Sequence, residues 1–255
     1  MKELVINGLQ YIVMLVNTEE MPIRSLYHVR ETRVNDCHNL LTIAQLDSSK
    51  SLQNLEMLKV EDCKALEVLF DFECLKVTKD HAESVLGRLR SLQLKSLDKL
   101  ANIIGIVPSG IHVFENLTSI VVERCGFLKN LFSPSMANSL VALNILEVSD
   151  CGSIEEIIEK EEGTSEIKRV EGMKTIIVFP KLDCLLLKNL SSIQMFCSRN
   201  YEIVFPLLKY LTIENCPMMK KLSPWPVRAP KLNISSLLDN AGIYVFSISI
   251  LHLLL

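Results

Sequence analysis

The sequence predicts an α/β repeat solenoid, in which short parallel strands from successive repeats stack into one sheet of about eight strands. Three observations lead there. Leucine makes up 41 of 255 residues, whereas aromatic residues are 6% of the chain and glycine contributes 9, so the hydrophobicity is aliphatic. A frame L-x-x-L-x-x-L-x-[VLI]-x-x-C-x-x-L recurs eight times along the chain. Its cysteine slot falls at positions 9, 37, 63, 97, 125, 151, 190 and 216, with gaps of 26 to 39 residues. Mean spacing is about 30 residues, close to the 20–29 of leucine-rich repeats, whose signature ends in N/C-x-L.

The copies follow in order. The chain opens on a truncated copy, Leu4, Ile6, Leu9 and Ile12, followed by a degraded one, Leu26, Val29, Thr32, Val34, Cys37 and Leu40. The third is regular: Leu52, Leu55, Leu58, Val60, Cys63 and Leu66. The fourth places leucine in the slot, as Leu86, Leu89, Leu92, Leu94, Leu97 and Leu100. Cysteine returns in the fifth, Phe114, Leu117, Ile120, Val122, Cys125 and Leu128, and in the sixth, Leu140, Leu143, Leu146, Val148, Cys151 and Ile154. The seventh again has leucine, in Phe179, Leu182, Leu185, Leu187, Leu190 and Ile193. The eighth is Phe205, Leu208, Leu211, Ile213, Cys216 and Met219.

Each slot has a physical role. In L-x-L two side chains share one face of a strand, so Leu58 and Val60 point inward while Lys59 points out. One such strand is too short to stand alone, and stacking buries the apolar faces in a continuous core. At about 4.8 Å per strand the eight strands span about 34 Å. The slot residue turns the chain away from the sheet, and Cys37, Cys63, Cys125, Cys151 and Cys216 act there as small buried hydrophobes with a weak S–H donor. Segments such as Lys64–Phe70 and Leu128–Phe132 carry apolar residues at short helical spacing. They are expected to form helical turns or irregular loops on the convex side of a leucine-rich-repeat horseshoe, opposite a concave parallel sheet. Ser133-Pro134, Phe179-Pro180 and Phe205-Pro206 punctuate loops.

Composition narrows the function. Twenty-seven basic and 30 acidic residues give a net charge of −3, which offers no electrostatic grip on nucleic acid or an anionic membrane. The apolar start, Leu4 to Val16, is interrupted by Asn7, Gly8 and Gln10, unlike a signal peptide. A reduced, cytoplasmic setting is therefore expected for the eight cysteines. Catalytic signatures are missing: there is no G-x-S-x-G, no H-E-x-x-H and no paired C-x-x-C. The histidines, at positions 28, 38, 81, 112 and 252, are scattered, and His38 beside Cys37 projects to the opposite face of an extended chain. The reading is of a protein with no catalytic, metal or cofactor residues and no small-molecule substrate.

Several phrases carry more than a generic repeat. They are Phe114-Glu-Asn-Leu-Thr-Ser-Ile-Val-Val-Glu-Arg-Cys-Gly-Phe-Leu-Lys-Asn-Leu-Phe-Ser-Pro-Ser-Met-Ala, Leu146-Glu-Val-Ser-Asp-Cys-Gly-Ser-Ile-Glu-Glu-Ile-Ile, Val178-Phe-Pro-Lys-Leu and Glu214-Asn-Cys-Pro-Met-Met-Lys-Lys-Leu. Over about residues 1–232 the chain resembles the repeat domain of plant coiled-coil NB-ARC leucine-rich-repeat (NLR) disease-resistance proteins. The resemblance implies a role in the defense response: recognition of pathogen effectors or guarded host proteins, and contact with the receptor's NB-ARC domain. This chain lacks that family's nucleotide switch, because Gly105 to Gly110 continues as Ile111-His112 without the lysine and hydroxyl of a P-loop. It resembles a C-terminal fragment without the NB-ARC domain, and ATP-driven signalling is not carried over. A leucine-rich-repeat adaptor for another intracellular complex, such as a ubiquitin ligase, and a non-functional receptor fragment stay open as alternatives.

Binding residues are expected among the outward positions of the strands. The central column reads Val5, Arg33, Lys59, Gln93, Val121, Glu147, Leu186 and Thr212; beside it lie Glu3, Glu31, Met57, Ser91, Ser119, Ile145, Cys184 and Tyr210. Charge dominates the first three repeats, while Val121, Ile145, Leu186 and Tyr210 place apolar groups on the later ones, the pattern of a protein-contact surface. The partner-binding candidates are Arg33, Lys59, Gln93, Val121, Ile145, Glu147, Leu186, Tyr210 and Thr212. Shielding of the apolar positions by a loop is the competing reading.

Two segments fall outside the frame. Residues 233–255 form a hydrophobic tail or cap, whose last stretch, Ile243 to Leu255, is too short for a membrane span. An acidic stretch from Glu155 through Gly163 to Gly172 occupies the longest interval, 39 residues, and reads as a solvated insertion. Limited trypsin digestion is expected to cut first between Lys160 and Lys174. First cleavage inside a strand of the frame would contradict the assignment.

Overall fold

The computed structural model describes residues 3–16, 26–45, 52–72, 83–107, 111–160, 175–198 and 201–232. The alternation of the repeat appears directly as burial. In the strand Met57–Glu61, Leu58 and Val60 are fully buried while Met57, Lys59 and Glu61 are half-exposed. The same pattern recurs in Ser91–Lys95, Ser119–Glu123, Ile145–Ser149 and Cys184–Lys188. With Glu3–Asn7, Glu31–Asn35 and Tyr210–Glu214 these strands form one eight-stranded parallel sheet whose spatial order is the chain order. No strand slips in register: Val5 lies opposite Arg33, and the same column continues through Lys59, Gln93, Val121, Glu147, Leu186 and Thr212.

Register is locked by the inward side chains. A slip of one residue would turn Leu146 and Val148 to solvent and bring Glu147 inside. A single hydrophobic cluster runs from Ile6 to Leu222, and the slot residues Cys63, Leu97, Cys125, Cys151 and Leu190 are fully buried in it. Phenylalanine fills the wider places. Phe179, Phe196 and Phe205 pack with ring centroids 5.5 to 5.9 Å apart, and Phe70 meets Phe114 at 6.2 Å. The degraded second copy departs from the pattern by burying Thr32 where its neighbours bury leucine.

The exit from each strand is uniform. The residue just before every slot lies in the left-handed region: Gly8 at φ 68° and Asp36, Asp62, Ser96, Arg124, Asp150, Asn189 and Asn215 at 53° to 57°. In the first seven repeats its N–H donates to a carbonyl of the next strand, as from Asp62 to Lys95 (3.1 Å), Arg124 to Ser149 (3.1 Å) and Asn189 to Glu214 (2.9 Å). The ladder therefore continues one residue past each strand while the chain bends, placing the slot residue in the core. Gly, Asp and Asn adopt this conformation at low cost; Arg124 does so against its preference. On the surface of this turn Asn189 donates to Asp150 (2.7 Å) and Asn215 to Asn189 (2.8 Å).

The side opposite the large sheet is built mainly from short strands. Met14–Val16, Thr42–Gln45, Val68–Asp71 and Asn102–Ile104 form a four-stranded parallel ladder, and Glu156–Ile158 pairs with Met195–Cys197. Further strands, Glu83–Val85 with Ile111–Val113 and Thr175–Val178 with Tyr201–Val204 and Val227–Arg228, close the third side of the coil. Among the described residues the expected helical turns are confined to the helix Pro134–Ser139, where Ser133 caps the N-terminus by accepting the Met136 N–H (3.2 Å). Lys64–Phe70 instead enters the strand Val68–Asp71, and Phe132 makes a bridge to Ile158. A stretch of five to seven residues without a cap such as Ser133 gains little as a helix, whereas pairing between repeats satisfies the backbone at once. Glu67 N–H reaches the Leu41 carbonyl (3.0 Å) and Ala101 N–H the Glu67 carbonyl (2.8 Å). The acidic stretch expected as a solvated insertion from Glu155 onward does not begin as one: Glu156–Ile158 pairs with Met195–Cys197 and buries Ile157 and Ile158, because the backbone is satisfied by the neighbouring repeat. The rest of that stretch, residues 161–174, and the tail 233–255 lie outside the described residues.

Arg124→Asn should raise folding stability by up to about 1 kcal/mol, and Asn189→Arg should lower it by at least about as much. Urea unfolding followed by circular dichroism measures both; equal midpoints for the two variants would contradict the role given to the left-handed turn.

Candidate recognition face

Three columns of outward side chains cover the large sheet. The two expected from the sequence stand where alternation placed them: Glu3, Glu31, Met57, Ser91, Ser119, Ile145, Cys184 and Tyr210 form one, and Val5 through Thr212 the next. The third, Asn7, Asn35, Glu61, Lys95, Glu123, Ser149, Lys188 and Glu214, was within reach of the same alternation, one step further along each strand.

Most charge on this face is internally compensated. Arg33 pairs with Glu3 (3.3 Å) and Glu31 (3.8 Å), and Lys59 with Glu61 (2.9 Å). Lys95 bridges Glu61 and Glu123, each at 3.6 Å, and Lys188 pairs with Glu214 (3.1 Å). The hydrogen bond from Lys59 holds the Glu61 carboxyl below the usual carboxylate range. Such exposed pairs contribute about 0–1 kcal/mol each to stability. Their effect is on specificity, because a partner must displace or match them.

The apolar candidates come together. Ile145 lies opposite Cys184, and Cys184 opposite Tyr210; in the next column Val121 and Leu186 flank Glu147 from either side. Tyr210 is 60% exposed, while Val121, Ile145, Glu147, Leu186 and Thr212 are half-buried among their neighbours. Arg33, Lys59 and Gln93 sit on the charged strands at the other end, beside Val5 at 62% exposure. The nine candidates thus share one continuous face, polar at its N-terminal end and apolar at its C-terminal end.

Along the strand-entry rim next to Ile145 and Tyr210 runs an open groove of about 620 Å³. Arg90, Lys181, Lys209 and Lys231 line it, with Asp183 as the one carboxylate among its lining residues. Lys209 is paired to Asp183 at 2.7 Å, a hydrogen bond that raises the lysine pKa. Sequence reading missed this groove because its cations are scattered over residues 90 to 231. Arg90 and Lys209, with the carboxylate Asp183, reach this rim because each occupies the position just before a strand. A smaller cavity of about 340 Å³ lies on the far side, between Asn102–Val107 and Asn130, Ser133 and Met136.

The five slot cysteines have structural roles. Seven described cysteines are free thiols. The slot thiols donate to the carbonyl two residues earlier: Cys37 to Asn35 (3.4 Å), Cys63 to Glu61 (3.4 Å), Cys125 to Glu123 (3.7 Å), Cys151 to Ser149 (3.2 Å) and Cys216 to Glu214 (3.4 Å). Burial pushes the Cys63 thiol from 9.0 up to about 11 and raises that of Cys216. Hydrogen bonding to Cys151, together with burial, raises that of Cys125. His38 pairs with Asp36 (3.0 Å), not with Cys37. Among the described residues no group of three or more His, Cys, Asp or Glu could hold a metal, and no helix is long and apolar enough to cross a membrane.

Comparison with known proteins adds a family. The family model described as "Plant disease resistance protein RPS2-like, leucine-rich repeats" matches residues 2–152 and 140–232. Disease resistance protein RPS5 of Arabidopsis thaliana is 27% identical over 228 residues, covering 78% of this chain and 24% of that protein. A probable disease resistance protein of the same plant is 25% identical over 76% of this chain and 16% of its own length. Disease resistance protein UNI, also from that plant, is 30% identical over 44% of this chain and 11% of its own length. The chain spans between 10% and 25% of the length of the curated relatives it matches.

Thiol burial has a consequence for pH. The folded chain keeps the Cys63 proton up to about 11, whereas the unfolded chain loses it near 9.0. Stability from this group is complete below pH 9 and falls as pH rises toward 11, because the unfolded state then binds fewer protons. Urea midpoints at pH 8 and 10.5 should therefore drop more for the wild type than for Cys63→Ala. Identical drops would contradict the assignment.

Proposed function

Because the chain belongs to the plant disease resistance protein RPS2-like leucine-rich-repeat family, we propose that its eight-stranded face is a non-catalytic surface for recognising another protein. The partner is a pathogen effector, a guarded host protein or the NB-ARC domain of a receptor, met in the cytoplasm. One observation carries the reading: apolar Val121, Ile145, Leu186 and Tyr210 cluster on a sheet face whose other charges are largely paired. Apolar side chains on a face fixed by backbone pairing lose little conformational entropy on binding, which favours affinity. The paired charges around them disfavour partners of the wrong pattern.

The residues proposed to make contact are Arg33, Lys59, Gln93, Val121, Ile145, Glu147, Leu186, Tyr210 and Thr212. In the energetics of such surfaces a few central aromatic and aliphatic anchors dominate, here Tyr210 and Leu186, while the charged repeats set orientation.

The double variant Leu186→Asp, Tyr210→Asp should lose its partner while keeping the wild-type circular dichroism spectrum, since both side chains point out of the core. Co-purification from plant cells challenged with a pathogen measures this. An effector, a guarded host protein or an NB-ARC protein bound to wild type and lost from the variant supports the proposal. Recovery of ligase subunits favours an adaptor role, and chaperones alone favour a non-functional fragment. The same proteins on both forms would sink the recognition face.

A further inference from the structure

The carboxylate of Glu147 differs from every other charge on the recognition face. Glu3, Glu31, Arg33, Lys59, Glu61, Lys95, Glu123, Lys188 and Glu214 all have an ion-pair partner within 4 Å. Among the described residues Glu147 has none. The lysines nearest in the third column, Lys95 and Lys188, are committed to Glu61 and Glu123 and to Glu214. Its neighbours across the sheet are Val121 and Leu186, and Ile145 precedes it on the same strand face.

A partner that covers Val121, Ile145 and Leu186 must also cover Glu147, which sits between them. Burying an ionised carboxylate against an apolar surface without a counter-charge is strongly unfavourable and works against the surrounding apolar contacts. A partner with a basic side chain at that point forms a charge-assisted hydrogen bond in a water-excluded ring. The rim carries the opposite sign. Arg90, Lys181 and Lys231 line the adjacent groove without an ion pair among the described residues, and Asn144 in the same lining is three residues before Glu147, about 10 Å along the strand.

We infer that the face binds a polypeptide segment that sets one arginine or lysine, flanked by apolar side chains, on Glu147 and lays an acidic end in the Arg90–Lys181–Lys231 groove. The inference rests on the recognition face proposed above and adds the chemistry and direction of its partner. The negative charge on the face and the positive charges at its rim fix the direction in which the segment lies, since reversal would set like charges against each other at both sites.

The test uses a phage-displayed library of random twelve-residue peptides selected on the full chain. Wild type should enrich peptides with a single Arg or Lys among apolar residues and Asp or Glu toward one end. A peptide chosen this way should bind Glu147→Gln about tenfold or more weakly. Glu147→Lys should instead select an acidic residue at the central position. The triple variant Arg90→Glu, Lys181→Glu, Lys231→Glu should lose the preference for an acidic end; its persistence would overturn the proposed direction. If Glu147→Gln binds the peptides as tightly as wild type while Leu186→Asp, Tyr210→Asp abolishes binding, the recognition face stands and this inference falls. If the Leu186→Asp, Tyr210→Asp variant also binds unchanged, or wild type selects nothing above background, both fall. Unaltered circular dichroism spectra check that the variants are folded.

Discussion

Everything in this fold depends on backbone pairing that repeats without a slip from Glu3–Asn7 to Tyr210–Glu214. Parallel strands of five residues have little stability singly. Each gains its partners only from the preceding and following repeat, so local errors propagate as lost hydrogen bonds on both sides. The inward leucines and valines make the register unique, and the left-handed residue after each strand carries the ladder into the turn. The slot cysteines follow from the same geometry, because the bend leaves room for a small side chain whose S–H can reach the carbonyl two residues back.

The ladder also decides what the surface can be. Side chains separated by 26 or more residues in sequence become direct neighbours, and this converts a mixed sequence into ordered columns. At one end the columns interleave Arg33, Lys59 and Lys95 with glutamates until their charges cancel. At the other, Val121, Ile145, Leu186 and Tyr210 meet around one uncompensated carboxylate. Selection for binding can change these positions with small effect on stability, because none contributes to the core.

The columns were legible in the sequence because two constraints, period-two alternation and a recurring Cys or Leu slot, place every strand residue. The side away from the sheet was not. Its strands bury adjacent residues, such as Leu69 with Phe70 and Ile157 with Ile158, so alternation is absent and the short apolar groups resemble a helical turn. Asp36, Asp62, Asp150, Asn189 and Asn215 before the slots were a readable sign of the left-handed turn. Ser96 and Arg124 hide that sign in two repeats. The basic groove was missed because Arg90, Lys181, Lys209 and Lys231 lie outside the alternating strand positions and are brought together only when the repeats are stacked.

Residue-resolved amide hydrogen exchange tests the continuous ladder most directly. The amides of Gly8, Asp36, Asp62, Ser96, Arg124, Asp150 and Asn189 lie outside the strands, yet each donates to the next repeat at 2.9 to 3.2 Å. The account predicts protection at Asp62, Ser96, Arg124 and Asp150 comparable to that of the central strand amides. Exchange at these positions as fast as in the flanking turns would show that the strands end without the shared bond, and the columns would lose the constraint that aligns them.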